Sequence, residues 1–234
     1  MGKLFVVGVG TGKYEDLTIK AYNTLVESDL VFCDEKMYQL LSSYLDKSKL
    51  VSNSYNATRQ RCINAVNAAH DKKVSIVGSG DTGIYGIAPI ILELCNDIEV
   101  EIVPGMTSFL SAASTLGSPL TKDFAVISLS DNFNEKDDTR HRIEAVAKNN
   151  FAIVFYSPCN STHDNLIMAR DILLQYRDAS NVVGIVKNLG SSDQQVIITN
   201  IRDLNIDDVD SLTTIIVGRD DTKEMNLKLT TPLY

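Results

Sequence analysis

Short apolar runs alternate with helix-like patterns along the first half of the chain. KLFVVGVG at 3–10 and KVSIVGSGD at 73–81 are rich in β-branched residues, and each predicts a strand that ends in a loop. Between such runs, apolar residues recur at helical spacing, as Leu17, Ala21 and Leu25 do in LTIKAYNTLVES. Strands that alternate with helices predict a mainly parallel sheet with helices on its faces.

The remaining elements of this half follow the same alternation. Three further strands are predicted, at DLVFCD 29–34, KLVSN 49–53 and EVEIVPG 99–105. Three further helices are predicted, at 57–73, 86–95 and 107–117.

The second half has a different rhythm. Strands at 123–131 and 151–158 alternate with helices at 137–150 and 163–177, but three strands then follow with little helix between them, at 181–188, 194–200 and 212–219. This crowding predicts a second, mixed sheet with flanking helices. Because Gly117 and Pro119 interrupt the pattern, we expect two α/β domains, 1–118 and 119–234.

Composition narrows the class of protein. The chain has 234 residues, 44% of them hydrophobic, which is enough for one large core or two small ones. A net charge of −8 argues against a nucleic-acid partner, and no apolar stretch approaches the roughly 20 residues of a membrane span. The four scattered cysteines predict free thiols in a reducing cytoplasm and no metal site.

The first glycine loop, GVGTGK at 8–13, is compatible with more than one ligand. A Walker A loop is excluded because the spacing is one residue short and Tyr14 replaces the magnesium-binding hydroxyl. A dinucleotide loop fits better, since Asp34 closes the next strand, but Lys13 takes the place of the third glycine. The helix also begins only near 16–18. A non-catalytic nucleotide-binding protein therefore remains an alternative.

Two more glycine clusters follow predicted strands. VGSGDTGIYG at 77–86 opens a helix, and Asp81 there has the alternative role of a helix cap. VPGMTS at 103–108 forms a turn before a helix of small residues. Three such loops at the carboxyl ends of strands favour a ligand crevice at that edge of the sheet.

These loops, together with LGSPLTKDFAVISLSD at 116–131, YSP at 156–158 and GIVKN at 184–188, resemble the tetrapyrrole methylases, which use S-adenosylmethionine (SAM). The resemblance runs from Leu4 to about Gly218. Within the family, SGDTGIYG and DFAVISLSD are similar to the branch that methylates C17 of precorrin-3B or cobalt-factor III, with ring contraction, in cobalamin synthesis. A sister enzyme acting at another ring carbon is the nearest alternative.

The resemblance implies the class III methyltransferase fold, with two α/β domains, an active site in the cleft between them, and usually a homodimer. It places SAM against ten residues: Ser79, Gly80, Asp81, Ile84, Tyr85, Thr107, Ser108, Tyr156, Ser157 and Gly184. The tetrapyrrole would face Gly8, Gly10, Thr11, Gly12 and Ser128. Ser130 and Asp131, at the end of a strand facing the cleft, are the candidates for proton handling or substrate orientation. The alternative for Asp131 is that it caps a turn before Asn132.

Two segments depart from the family pattern. The first loop usually contains a proline where this chain has Thr11. A later family motif is Tyr-Asn-Pro followed by a basic residue. In this chain Ser157 takes the place of the asparagine and Cys159 that of the basic residue, and His163 is the candidate substitute for anchoring a substrate carboxylate. We expect the histidines otherwise to be solvated surface residues, because none has an evident catalytic partner.

Overall fold

The structure is a computed structural model that describes residues 2–54, 57–131, 136–158 and 163–233. The chain divides into two compact units, Met1–Ser108 and Phe109–Tyr234. Across the described ranges, no helix is both long enough and apolar enough to cross a membrane.

The first unit is built on a parallel sheet. Its strands are β1 Lys3–Gly8, β2 Leu30–Asp34, β3 Leu50–Asn53, β4 Lys73–Gly78 and β5 Glu99–Val103. They lie side by side in the order β3-β2-β4-β1-β5, and every pairing is parallel. The helices of this unit are α1 Ile19–Glu27, α2 Glu35–Leu41, α3 Thr58–Ala68 and α4 Ala88–Leu94.

The central strands of this sheet, β1 and β4, are buried on both faces, which explains their continuous apolar runs. Leu4 and Val6 pack with Ile76 in one cluster, whereas Phe5 and Val7 pack in another on the opposite face. The parallel pairings bring Gly8 level with Gly78 at the carboxyl ends of β1 and β4. The loops after β1, β4 and β5 therefore leave the same edge of the sheet.

The second unit contains a mixed sheet. Its helices are α5 Ser108–Leu116, which begins at the division between the units, α6 Lys136–Lys148 and α7 Asp164–Tyr176. Its strands are β6 Gly117–Ser118, β7 Phe124–Ser128, β8 Ala152–Tyr156, β9 Val182–Lys187, β10 Gln195–Asn200, β11 Thr213–Val217, β12 Lys223–Met225 and β13 Lys228–Thr230.

The larger sheet of this unit runs β10-β9-β11-β8-β7, and a small one runs β12-β13-β6. In the larger sheet only β7 and β8 pair in parallel. Alternate residues of β8 again divide between two cores, with Ile153 and Phe155 on one face and Val154 on the other.

The structure confirms the predicted α/β class, with a parallel first sheet and a mixed second sheet. The units divide at the start of α5, whereas the predicted boundary of 118/119 lies beyond that helix. The reason is packing: Phe109, Ala112 and Leu116 on α5 are buried with Val154 and Ile216 of the second unit's sheet. Helix α2 and the β12–β13 hairpin were not predicted.

Candidate functional site

Three glycine loops of the first unit meet backbone to backbone at the carboxyl edge of its sheet. Gly10 and Gly80 form an isolated antiparallel bridge, in which the Gly10 amide donates to the Gly80 carbonyl at 3.1 Å and the Gly80 amide donates back at 2.7 Å. Both residues have positive φ, 58° and 66°. A Cβ on Gly8 would lie 2.6 Å from the Gly105 nitrogen. The three loops predicted to gather at this edge are therefore in contact.

These contacts explain why glycine occupies these positions, which the sequence did not reveal. Side chains at Gly8 or Gly105 would collide with the backbone of the neighbouring loop. Contact of Gly8, Gly10 and Gly12 with a tetrapyrrole stays a prediction, because the packing alone accounts for the absence of a side chain at Gly8.

Thr11, the departure from the family pattern, is tied into its own loop. Its hydroxyl donates to the Asp16 carboxylate. The Gly12 carbonyl next to it accepts from the Tyr44 hydroxyl at 3.0 Å, and burial raises the pKa of Tyr44. Side chains therefore hold the loop at these two points. Where the family usually has a proline ring, Thr11 supplies a local hydrogen bond.

Asp81 connects the second and third loops. One carboxylate oxygen accepts from the Gly83 amide at 2.8 Å, and the other accepts from the Gly105 amide at 3.0 Å. It is not the N-cap of α4, which begins only at Ala88 after Ile87. A carboxylate that accepts from two backbone amides fixes the relative position of both loops.

The exposed part of this cluster combines polar and apolar groups. Ser79 is exposed, and Ile84 and Tyr85 each keep 39% of their surface accessible. Tyr85 has φ of 51°, a strained conformation for a residue with a side chain. Thr82, between them and Asp81, is fully buried, and its hydroxyl has no hydrogen-bond partner among the described residues.

Thr107 and Ser108 lie next to the second loop. Thr107 is buried, and a Cβ on Gly80 would be 3.7 Å from both the Thr107 Cα and the Ser108 nitrogen. Five of the ten predicted cofactor residues lie on the second loop, and through Gly80 this loop approaches Thr107 and Ser108.

Asp34, the basis of the nucleotide alternative, has a capping role. Its carboxylate accepts from the Met37 amide at 2.9 Å at the start of α2. Helix α1 begins at Ile19, with Thr18 as its N-cap, so the delayed helix start is confirmed. A single 3-10 turn, Tyr14–Asp16, directly follows the first glycines, in place of the α-helix amino terminus that a pyrophosphate site requires.

In the second unit, Tyr156 and Gly184 contact α5. The Tyr156 hydroxyl accepts from the Phe109 amide at 2.9 Å, which satisfies a donor in the first turn of that helix. A Cβ on Gly184 would lie 2.7 Å from a Leu116 methyl group. Ser157 is exposed and has φ of 46°. Their contact with SAM stays a prediction.

The end of β7 carries the candidate catalytic residues. Ser128 is buried, and its hydroxyl accepts from the Ser130 amide at 3.3 Å. Ser130 is half-buried and Asp131 is exposed, so these two are the accessible members of the group. Asn165, on α7, donates to the Asp131 carboxylate at 2.6 Å. Sequence reasoning missed Asn165.

The three histidines lie in or next to helices. His163 is at the start of α7, where its Nε2 lies 3.0 Å from the Val209 carbonyl oxygen. His70 and His141 are exposed, and hydrogen bonds to the Asn67 carbonyl and then to Asp97 raise the pKa of His70. Cys159 lies outside the described residues, and within them no group of three or more potential metal ligands occurs.

Comparison with known proteins identifies the class to which this fold and these loops belong. Residues 3–205 match the model of the tetrapyrrole (corrin/porphyrin) methylases. The chain belongs to this family.

The names of its relatives within the family indicate a more specific activity. The chain is 32% identical to a probable cobalt-factor III C(17)-methyltransferase of Salmonella typhimurium, over 98% of each chain. It is 33% identical to a cobalt-factor III methyltransferase of Priestia megaterium, but spans only 43% of that protein's length. The crystal structure of the methyltransferase CobJ has the same fold, with a TM-score of 0.90, 24% identity, and coverage of 99% of this chain and 100% of that one.

Proposed function

We propose that this chain transfers a methyl group from SAM to C17 of a corrin precursor, precorrin-3B or cobalt-factor III, with contraction of the macrocycle. One observation carries the proposal: the similarity to the probable cobalt-factor III C(17)-methyltransferase of Salmonella typhimurium extends over 98% of both chains. The two segments similar to this branch are SGDTGIYG, on the second glycine loop, and DFAVISLSD, which contains β7 and the three residues after it.

The first unit's residues fit SAM in their chemistry. The cofactor combines an apolar adenine with a zwitterionic amino acid and a sulfonium. The second loop offers exposed apolar side chains, Ile84 and Tyr85, beside the exposed hydroxyl of Ser79 and a loop backbone held by Asp81. Such a mixture of apolar surface and a few placed polar groups is typical of a small-molecule site.

The protein's task in this reaction is mainly to hold the reactants. When bound, SAM supplies a methyl group that is already activated by its sulfonium. Ser79, Ile84 and Tyr85 would bind and orient the cofactor. Holding the reacting atoms in line, at roughly 3–3.5 Å, removes a large part of the activation barrier. At the end of β7, Asp131 would accept a proton from the substrate at its carboxylate and Ser130 would orient the ring.

The test is conversion of the proposed substrate by purified protein. Incubation with SAM and cobalt-factor III, or precorrin-3B, should give a product heavier by one methyl group, a changed absorbance spectrum and one equivalent of S-adenosylhomocysteine. With SAM labelled at the methyl carbon, NMR of the product should place the label on C17. Reactions without SAM serve as the control.

Each other result excludes a part of the proposal. Unchanged mass and absorbance with both substrates would overturn the methyltransferase assignment. A label on another ring carbon would indicate a sister specificity. Methylation without contraction would restrict the activity to the transfer step. Calorimetry should detect binding of S-adenosylhomocysteine and not of NAD, and the reverse would favour the nucleotide-binding alternative.

We also propose that the chain forms a homodimer in the cytoplasm. The dimer is supported by the family resemblance. The location is supported by Cys33, Cys62 and Cys95, which are free thiols, as expected in a reducing compartment. Sedimentation velocity at micromolar concentration should give twice the 25.7 kDa mass of the chain.

A further inference from the structure

Asn165 is a buried polar residue that contacts the end of β7. It lies in the first turn of α7 and exposes only 4% of its surface. Its side-chain amide donates to the Leu129 carbonyl at 2.8 Å and to the Asp131 carboxylate at 2.6 Å. Both donor hydrogens of the amide are therefore used within one short segment.

The two hydrogen bonds of this amide have different consequences. Leu129 is also held by its own amide, which donates to the Tyr156 carbonyl of β8 at 2.8 Å. The backbone just before Asp131 is thus fixed from two sides, by β8 and by α7. The second bond reaches a charged acceptor, and hydrogen bonds of this kind are about twice as strong as neutral ones.

The contrast in exposure between the two side chains points to function. Asp131 is exposed, whereas the amide that binds it is buried. An exposed aspartate ordinarily samples several rotamers. Here a donor fixed in the protein interior restrains one carboxylate oxygen, while the residue remains accessible to solvent.

We propose that Asn165 is a positioning residue, which holds the Asp131 carboxylate in one orientation and in its ionised form for the reaction on the tetrapyrrole. This inference rests on the proposed function, because it takes Asp131 as the group that meets the substrate. Asn165 itself does not touch the reacting atoms.

The sharpest variant is Asn165→Asp, which keeps the shape of the side chain but replaces its donor with a second carboxylate. Asn181→Asp is the matched control. Asn181 is also buried, at 8% exposure, and its amide donates to the Asp220 carboxylate at 2.8 Å in the same unit, away from the end of β7. Both variants place two carboxylates side by side, so their costs in stability should be similar.

The two variants should differ in activity. We expect kcat to fall by about 10- to 100-fold in Asn165→Asp, the usual effect of losing a hydrogen bond to a charged group. KM should change by less than about three-fold, because the substrate is not contacted directly. Asn181→Asp should retain the wild-type kcat. Equal kcat values in the two variants, after correction for the folded fraction, would overturn the inference.

A second measurement separates positioning from a structural role. The amide favours the ionised carboxylate, so Asn165→Ala should move the acid limb of the kcat profile to higher pH. In an Asp131→Ala background, Asn165→Ala should have little further effect on kcat. An unmoved profile, or fully additive losses, would also overturn the inference.

Failure of the proposed function would look different. If the wild-type protein converts neither corrinoid, the methyltransferase assignment fails before any variant is compared. If the wild type is active and Asn165→Asp matches it, only the positioning role of Asn165 fails.

Discussion

At the scale of single residues, several carboxylates in this chain accept hydrogen bonds from backbone amides. Asp81 uses both oxygens, one for Gly83 and one for Gly105, and so joins two loops. Asp34 caps the start of α2. The two aspartates stand near the carboxyl ends of adjacent strands, β2 and β4, and look equivalent in sequence. Only Asp81 holds loops that are proposed to bind the cofactor.

Asp81→Ala should therefore weaken binding of S-adenosylhomocysteine more than Asp34→Ala does. The first change releases two loops, whereas the second removes one helix cap and costs about 1 kcal/mol of stability. Isothermal titration calorimetry should show a dissociation constant raised about ten-fold or more in Asp81→Ala and nearly unchanged in Asp34→Ala. Equal effects, or a larger one from Asp34→Ala, would contradict the placement of the cofactor.

Burial also controls the reactivity of the thiols. Desolvation raises the pKa of Cys33 to about 12 and raises that of Cys62, while Cys95 is only partly buried. The thiolate is the reactive form. In a Cys159→Ser variant, we expect a disulfide reagent at pH 8 to label one thiol rapidly in the native protein and three in denaturant. Rapid labelling of Cys33 or Cys62, identified by peptide mass, would contradict this burial.

At the scale of elements, the close approach of α5 to β9 depends on a missing side chain. Leu116 of α5 occupies the space where Gly184 of β9 would carry a Cβ. Leu116 is itself fully buried with Val154, Val186 and Leu229. The glycine in GIVKN thus has a packing role, whether or not its backbone also meets a ligand.

Gly184→Ala should destabilise the protein by about 1–3 kcal/mol, because the new methyl group forces Leu116 to move. Leu116→Ala alone should cost about 2–5 kcal/mol through the cavity it leaves. The double variant should cost clearly less than the sum, since the added methyl group fills part of that cavity. Urea unfolding followed by circular dichroism measures all three. Strict additivity would show that the two side chains do not compete for the same space.

At the scale of the whole molecule, acidic residues outnumber basic ones by 30 to 22. Whether a carboxylate stabilises the folded protein therefore depends on the cationic side chains next to it. Glu101 of β5 bonds Lys20 of α1 at 2.7 Å and Lys3 of β1 at 2.8 Å. These bonds, that from Lys20 first, lower the pKa of Glu101 from 4.5 to about 2. Its folded-state pKa lies below the unfolded one, so its contribution to stability is present above pH 4.5 and is lost as the pH falls toward 2.

Glu101→Gln should accordingly lower the free energy of unfolding at pH 7 by at most about 1 kcal/mol, since the pair is near the surface. The difference from wild type should shrink as the pH falls from 4.5 toward 2. Glu99→Gln is the control, because Glu99 is more exposed and bonds Lys3 alone among these lysines. Urea titrations across this range measure the effect, and a difference that does not depend on pH would exclude the ion pairs as its cause.

Much of the fold could be predicted from the sequence because its central strands are buried on both faces and stand out as apolar runs. Helix α2 could not, since it follows β2 without a loop: Asp34 is both the last residue of the strand and the cap of the helix. The β12–β13 hairpin could not either, because its strands are three residues long and largely exposed.

The candidate site was predictable in its position more than in its contacts. Glycine clusters after parallel strands indicate a crevice. They do not reveal that a side chain at Gly8 would collide with the backbone of Gly105, and one at Gly105 with the backbone of Gly8. Asn165 left no signal at all. It lies 34 residues beyond Asp131, in a helix whose pattern is otherwise that of an ordinary packed element, so only the tertiary structure brings the two together.

The bridge between Gly10 and Gly80 has a practical meaning for anyone who would redesign this enzyme. Two loops that share main-chain hydrogen bonds, with a third loop joined to them through Asp81 and Gly105, cannot be exchanged one at a time. A single loop grafted from a relative of different specificity would arrive without its matching backbone partners. Transplants that carry all three loops together would preserve the hydrogen bonds between them. The three glycine loops at this edge of the sheet should therefore be exchanged as one unit.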